Sequence, residues 1–318
     1  MSRIALSLVL AATAASACGS KHDQAQAFES STPSASSLKL PTPESFSKKH
    51  PSFERYWYRG FAELTRYAMS QSRYGEQHEG EAVLIFVTED FLPGPQVKQE
   101  RGDSPTAISV LKLNAYRRFY TGIYPYTLMT SSFTPAATPD WRTLKVSSSM
   151  QEWCGSVYSQ INRRKDGLHV QLHSYFQDDS DRESTLPDAP LEDGLWSQIR
   201  IDPSKIQTGA QRIIPGLDYI RMRHKGLRSY PAAVTRNVEV ATDLVDHPVS
   251  SVRVEYADIG RDLIIYHEPD FPYIIQAWEE NVGPQRTTAV RTQAIIDDYW
   301  NHNGAGDSAY RDALGLQH

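Results

Sequence analysis

The sequence predicts a mainly β protein, a β-rich α+β chain arranged as an antiparallel meander: a curved sheet or half-barrel with one or two short helices. Three observations carry that expectation. The 17 Tyr, 6 Trp and 10 Phe are spread over short segments, which suits strands. The 18 Gly and 19 Pro break those segments often, as closely spaced turns require. Apolar residues alternate over short runs, and no strand-helix-strand order or solenoid-period repeat is present.

Folding is expected to begin near Phe53, and residues 54–70 fit either a short helix or a strand. In 82–88, Val83, Ile85 and Val87 alternate with Leu84 and Phe86, so both faces are apolar and the strand belongs in a covered, central position. Further strands are expected at 109–113, 124–133, 144–161, 169–176, 211–214, 219–223, 232–240, 251–256, 262–268 and 273–280. Two helices are expected. Residues 191–201 place Leu191, Leu195, Trp196 and Ile199 on one side and meet Pro203, and 294–301 do the same with Ile295, Ile296, Tyr299 and Trp300.

The N-terminus has the layout of a secretory signal: Arg3, an apolar run over 4–12, then small residues ending on Ala15-Ser16-Ala17-Cys18. This segment resembles the bacterial lipobox, with Ala15 where Leu is usual. The resemblance implies cleavage after Ala17 and acylation of Cys18, with the lipoprotein-processing and sorting machinery as partners. Each buried methylene contributes about 0.8 kcal/mol, so two or three chains on one cysteine give firm membrane attachment. Gly19 follows where an inner-membrane retention signal has Asp, so the expected location is the periplasmic face of the outer membrane. Residues 1–17 are thus expected as signal, 18–50, rich in Ser, Ala, Pro and Lys, as a flexible tether, and 51–318 as the envelope domain.

Net charge is −5, from 33 basic and 38 acidic residues mixed along the chain, which provides no field for nucleic acid. The chain has two cysteines, and acylation of Cys18 would leave Cys154 without a disulfide partner. Cys154 is read as lying in a strand that bends at Gly155. If His169 or His173 faced it, imidazole could accept the thiol proton and make a nucleophile; otherwise it packs as a small apolar residue. His169, Gln171, His173 and Tyr175 fall on one strand face, opposite Val170, Leu172 and Phe176. The two imidazoles stand about 13 Å apart, too far to share a metal ion. The acidic run 178–183 lacks the spacing of a calcium loop. Glu279 and Glu280, like Glu89 and Asp90, are carboxylate pairs at strand ends that would suit glycoside hydrolysis only at the right separation. No phosphate loop, nucleophile elbow, zinc-helix motif or dinucleotide fingerprint occurs, so no cofactor and no metal are expected.

Val83 to Val97, Val110-Leu111-Lys112-Leu113-Asn114, Thr121-Gly122-Ile123-Tyr124-Pro125-Tyr126, Gln151-Glu152-Trp153-Cys154-Gly155 and Ala277-Trp278-Glu279-Glu280 together resemble an uncharacterised family of bacterial lipoproteins. Some of its members carry the label septum formation inhibitor Maf. That label implies a cytoplasmic nucleotide pyrophosphatase of α/β fold, at odds with a signal sequence and a strand-rich chain, so its activity is not carried over. The expected role is binding of a lipid or other apolar ligand in the hollow of the sheet, lined by alternate residues of 126–133, 252–256 and 263–267. A periplasmic hydrolase using Cys154 or a carboxylate pair, and a non-catalytic scaffold for envelope proteins, are the alternatives.

Overall fold

A computed structural model describes residues 38–137, 141–177 and 179–316; Cys18 and the expected signal segment lie outside them. The strands are β1 Ala62–Arg73, β2 Glu76–Leu92, β3 Val97–Lys98, β4 Ile108–Thr121, β5 Tyr124–Pro135, β6 Lys145–Glu152, β7 Gly155–Arg164, β8 Gly167–Ser174 and β9 Arg182–Leu186. They continue as β10 Gly209–Ile213, β11 Tyr230–Thr242, β12 Val245–Tyr256, β13 Arg261–His267, β14 Ile275–Val282 and β15 Gln285–Asp297. The helices are α1 Pro43–Lys49, α2 Phe53–Trp57, α3 Leu195–Ile201, α4 Leu217–Met222 and α5 Ser308–Ala313.

All fifteen strands form one curved antiparallel sheet, which does not close, so the expected fold class holds. Its order is β10 to β15, then β1, β2 and β4 to β9, with the short β3 paired to β2. The chain therefore starts mid-sheet, works outward to the β9 edge, crosses to the β10 edge and returns to pair β15 with β1. That single crossover, 187–208, together with the β10–β11 connection 214–229, carries α3 and α4.

Both helices sit in the hollow. Leu195, Trp196 and Ile199 join a core with Leu113, Leu128, Val252, Val254, Leu263 and Ile265, and α4 contributes Met222 to it. The hollow anticipated as a ligand trough is thus filled by the protein's own chain. The seam between the two edges is bridged by the crossover: Ile214 N–H donates to Pro190 O (3.0 Å) and Glu192 N–H to Ile214 O (3.0 Å). From the opposite side, Arg163 of β7 donates to Thr143 O and Ala189 O, both at 2.9 Å. The crossover runs so close that a Cβ on Gly194 would lie 1.9 Å from Thr143 Oγ1.

Two buried arginines pin this plug. Arg200 of α3 makes a two-pronged pair with Glu63 of β1 (Nη2 to Oε2 2.6 Å), donates to Pro272 O (2.7 Å), and lies between the rings of Trp57 and Phe86. Tyr56 O–H completes the Glu63 shell at 2.5 Å. Arg261 of β13 pairs with both oxygens of Glu192 (2.6 and 2.7 Å) and with Glu280 (2.6 Å), while Tyr256 O–H donates to Glu192 at 2.7 Å. Glu192 also accepts from Gly216 N–H (3.1 Å) and Asp193 from Leu217 N–H (3.0 Å), so the carboxylates that pin the crossover also satisfy donors at the start of α4.

Several elements differ from expectation. Residues 294–297 end strand β15, and only 299–301 form a short 3-10 turn: Ile295 is covered on the outer face by Leu40, Leu314 and Leu316 while Ile296 faces the inner core, so the apolar run has no single exposed side. Residues 219–222 belong to helix α4, with Arg223 its C-cap, and not to a strand; the helix is buried nearly all round and shows no amphipathic period. The expected strand 144–161 is the β6–β7 hairpin, turning at Trp153 and Cys154. Residues 54–70 divide into α2 and most of β1. Order begins before residue 51. Within the expected tether, α1 starts with a Thr42–Ser45 capping box, and Glu44 pairs with Arg291 at 2.6 Å.

Removing one partner of a buried, bidentate pair leaves an uncompensated charge, so Arg200→Ala is expected to lower unfolding free energy by about 3–5 kcal/mol. Replacing both partners by apolar residues, Arg200→Met with Glu63→Leu, should cost less. Urea denaturation monitored by tryptophan emission checks this; equal losses in the single and double variants would show that the charge pair is not what holds α3.

Candidate functional site: a cleft at the seam

Where the sheet fails to close, a cleft of about 310 Å³ remains. One wall is Gln211 and Ile213 of β10 with Val234 of β11; the other is Trp141, Thr143 and Arg163; its floor is Leu191, Leu195 and Gln198 of the crossover. Lys205 and Ile206 overhang it. The size falls at the lower end of the range for small-ligand sites, and the mixture of apolar walls with a few polar groups suits an amphipathic molecule. Gln198 Nε2 donates to Trp141 O at 3.0 Å, which fixes the aromatic wall, and Lys205 Nζ stands 4.3 Å from the centre of that indole. Arg142 pairs with Asp188 at 2.6 Å and Arg163 contacts the same carboxylate, so the mouth carries three cations, one carboxylate beside the arginines, and Asp202 at 3.9 Å from Lys205.

Deeper in, between α3, α4 and the inner face of β4 and β5, lies a space of about 20 Å³ bordered by Arg117, Asp193, Asp218, Trp196, Thr130 and Ser132. It is room for about one water molecule, not a substrate. Arg117 pairs with Asp218 at 2.7 Å. Burial, with the carboxylates of Asp218 and Glu192 beside it, pushes Asp193 well above the usual carboxylate range.

The residues singled out in the sequence are not assembled together. Cys154 is exposed on the β6–β7 turn, where Glu152 accepts from its backbone N–H (3.1 Å) and pushes its thiol up, away from thiolate. His169 and His173 point outward from β8 with Gln171, while Leu168, Val170 and Leu172 point in, as the alternation requires. His169 meets Asp166 at 2.9 Å; His173 stacks beside Tyr158 and faces Asp181 at 3.9 Å. Neither imidazole is turned to the thiol. Glu279 and Glu280 are consecutive in β14 and take opposite faces. Glu279 accepts outside from Tyr266 (2.8 Å) and Arg286 (2.6 Å), and Glu280 accepts inside from Arg261. Glu89 is held by Lys112 at 3.1 Å. Each carboxylate serves a structural arginine or lysine. Among the described residues, Asp297, Asp298 and His302 also converge, with His302 Nδ1 at 2.8 Å from Asp297.

Sequence reasoning missed Trp141, Gln198, Lys205 and Gln211, which come from three separate segments, the β5–β6 connection, the crossover and β10. A signal was available only in the crossover, where apolar Leu191, Leu195 and Ile206 lie between two charged turns.

No family model matches this chain, and no curated protein does. Among solved structures, the crystal structure of a beta-barrel-like protein of domain of unknown function DUF1849 from Brucella abortus is similar with a TM-score of 0.45 at 10% identity, over 74% of this chain and 98% of that one.

Because Asp193 holds its proton more tightly folded than unfolded, its contribution to stability is complete below the unfolded carboxylate pKa of about 4 and is lost as pH rises through its higher folded value. His267, pushed down by burial, acts with the opposite sign. Asp193→Asn keeps an oxygen for Leu217 N–H and removes only the first effect. Urea midpoints from roughly pH 5 to 8 are expected to decline less steeply in this variant than in the parent; parallel curves would sink the assignment.

Proposed function

We propose that this protein is a lipid-anchored envelope protein that binds a small amphipathic molecule in the seam cleft, through a short acyl or aromatic group against Trp141, Leu195 and Ile213 and an anionic or polar head near Lys205. The observation that carries the reading is the cleft itself: beside the unpaired edges of the sheet it has an aromatic wall, an apolar floor and cations at its mouth. The hollow of the sheet is occupied by α3 and α4, so the ligand is expected at the seam and not along the inner strands.

The envelope location rests on the sequence. A leader ending in Cys18, and the resemblance to a bacterial lipoprotein family, support attachment through acylated Cys18. Among the described residues no helix is long and apolar enough to cross a membrane. The exposed Cys154 with its raised thiol and the divided Glu279 and Glu280 offer no ready nucleophile or acid-base pair, which favours binding over hydrolysis.

Anilinonaphthalene sulfonate, an anionic aromatic, is a suitable probe of the cleft. Gln211→Trp fills it from an edge strand without touching the core and is expected to weaken probe binding about tenfold at unchanged thermal stability. Unchanged affinity would remove the cleft as the site. For the anchor, an alkyne palmitate analogue fed to expressing bacteria should label the parent chain and not Cys18→Ala; equal labelling, or none in either, would overturn lipidation at this residue.

A further inference from the structure

Strand direction assigns every turn to one end of the sheet. The β1–β2, β4–β5 and β6–β7 turns, the β8–β9 connection and α4 share one end, whereas the N-terminal segment and the crossover's entry share the other. The five most exposed large apolar residues among those described are Ile123 (81%), Tyr175 (79%), Val238 (76%), Trp153 (67%) and Tyr74 (63%). Four of them occupy the four neighbouring turns of the first end.

Scattered singly, such residues would need no account; gathered on adjacent tips, they do. Tyr74 (φ 55°) and Gly75 (φ 84°) form a left-handed two-residue turn in which Asn is the usual first residue, yet an aromatic ring is kept there. Trp153 stacks on Tyr124 at 6.0 Å, so the tip rings are held rather than loose.

Inside the arc of tips lies a basic loop. From Arg221 through Arg228 the chain carries Arg221, Arg223, His224, Lys225 and Arg228, and no carboxylate occurs between Asp218 and Glu239. The loop is placed against the tips by Arg73, which donates to Met222 O, by Arg221 at 3.9 Å over the Phe176 ring, and by the Phe176–His224 ring contact. Glu152 faces Arg221, and Asp179 faces His224, each at 3.9 Å. Among the described residues, Lys225 and Arg228 make no ion pair, and Arg228 lies over Tyr230.

We propose that this end docks on the surface of a bilayer containing anionic phospholipid, with Tyr74, Ile123, Trp153 and Tyr175 entering the head-group region and Lys225 and Arg228 meeting lipid phosphate. Amphipathic rings settle at that boundary, and cations beside it gain from the negative surface. Separate protruding tips beside the cations Lys225 and Arg228, with Asp179 and Asp181 confined to the β8–β9 connection, suit a deformable, negatively charged sheet of head groups better than the fixed pockets of a protein partner. The contact is distinct from any anchor at Cys18, because the N-terminal segment joins the sheet at the other end, where Ile296 N–H donates to Pro41 O (2.7 Å).

The test uses the full chain carrying Cys18→Ala, so that acylation plays no part and the leader contributes equally to parent and variants. Vesicles of phosphatidylcholine, with and without roughly 30% phosphatidylglycerol, are compared at low and high salt. The parent is expected to bind the anionic vesicles about tenfold better, with the preference fading in salt. Ile123→Ser with Trp153→Ser and Tyr175→Ser should lose about tenfold in affinity, and Lys225→Glu with Arg228→Glu should lose the anionic preference. Brominated lipid should quench the part of the emission that Trp153→Phe removes. Parent-like binding by either multiple variant, or Trp153 emission untouched by brominated lipid in vesicle-bound protein, would overturn the proposal and leave the tips to a protein partner.

Discussion

The structure depends on the contact between Arg261 and Glu192. An open fifteen-stranded sheet has an apolar hollow to cover and two edges to protect, and one crossover does both. That crossover can lie inside only if its polar groups are matched there. Arg261 presents its planar fork to Glu192, Glu280 shares it, Tyr256 supplies a hydroxyl, and the rings of Tyr219 and Tyr256 flank the guanidinium. Desolvating these charges is expensive, so the cluster's contribution is chiefly to specificity: no other register of the crossover brings Glu192 to Arg261 while Asp193 meets α4. Arg200 and Glu63 repeat the device at the other end, so the plug is held at two points along the sheet axis.

A plugged sheet changes where a ligand can sit. Carriers with empty hollows present the inner strands to their cargo, but here the residues that would line such a trough, Leu128, Val254 and Ile265 among them, are already packed against α3 and the rings around it. What remains is the seam, kept apart because β10 has only five residues and the crossover reaches its end through one isolated bridge. Trp141 and Lys205 then cover a space that the ladder would otherwise have closed.

The fold class was legible because it rests on local signals. Alternation and turn residues mark β2, β5, β8 and β13, whose faces differ or whose ends carry Gly or Pro. Legibility failed where burial came from outside the element. Ile295 and Ile296 are both buried because the N- and C-terminal segments cover the outer face of β15, and α4 hides its period because it lies within the plug. The ion-pair network was invisible for a related reason: Glu63, Glu192, Arg200 and Arg261 are far apart in sequence, and a buried charge looks like a surface charge until its partner is known. Glu280 was noticed, but beside its sequence neighbour Glu279, from which strand geometry separates it. The cleft drew on five segments and had no compact motif.

Exposure and charge together give the molecule a direction. At the seam, the side chains of the cleft are largely tied to one another: Gln198 to Trp141, Lys205 to the indole face, Arg142 to Asp188. At the tips, β-turns that need only small polar residues carry Tyr, Ile and Trp instead, around arginines that pack on aromatic faces. Solvent gives no reason to keep those side chains there, and the core is already filled without them. A surface that gathers apolar tips around unmatched cations is complementary to an environment apolar within and anionic at its face. It follows that the seam and the tips are adapted to different surroundings, and that the plug, by fixing α4 beneath the tips, joins the stability of the interior to the shape of that outer surface.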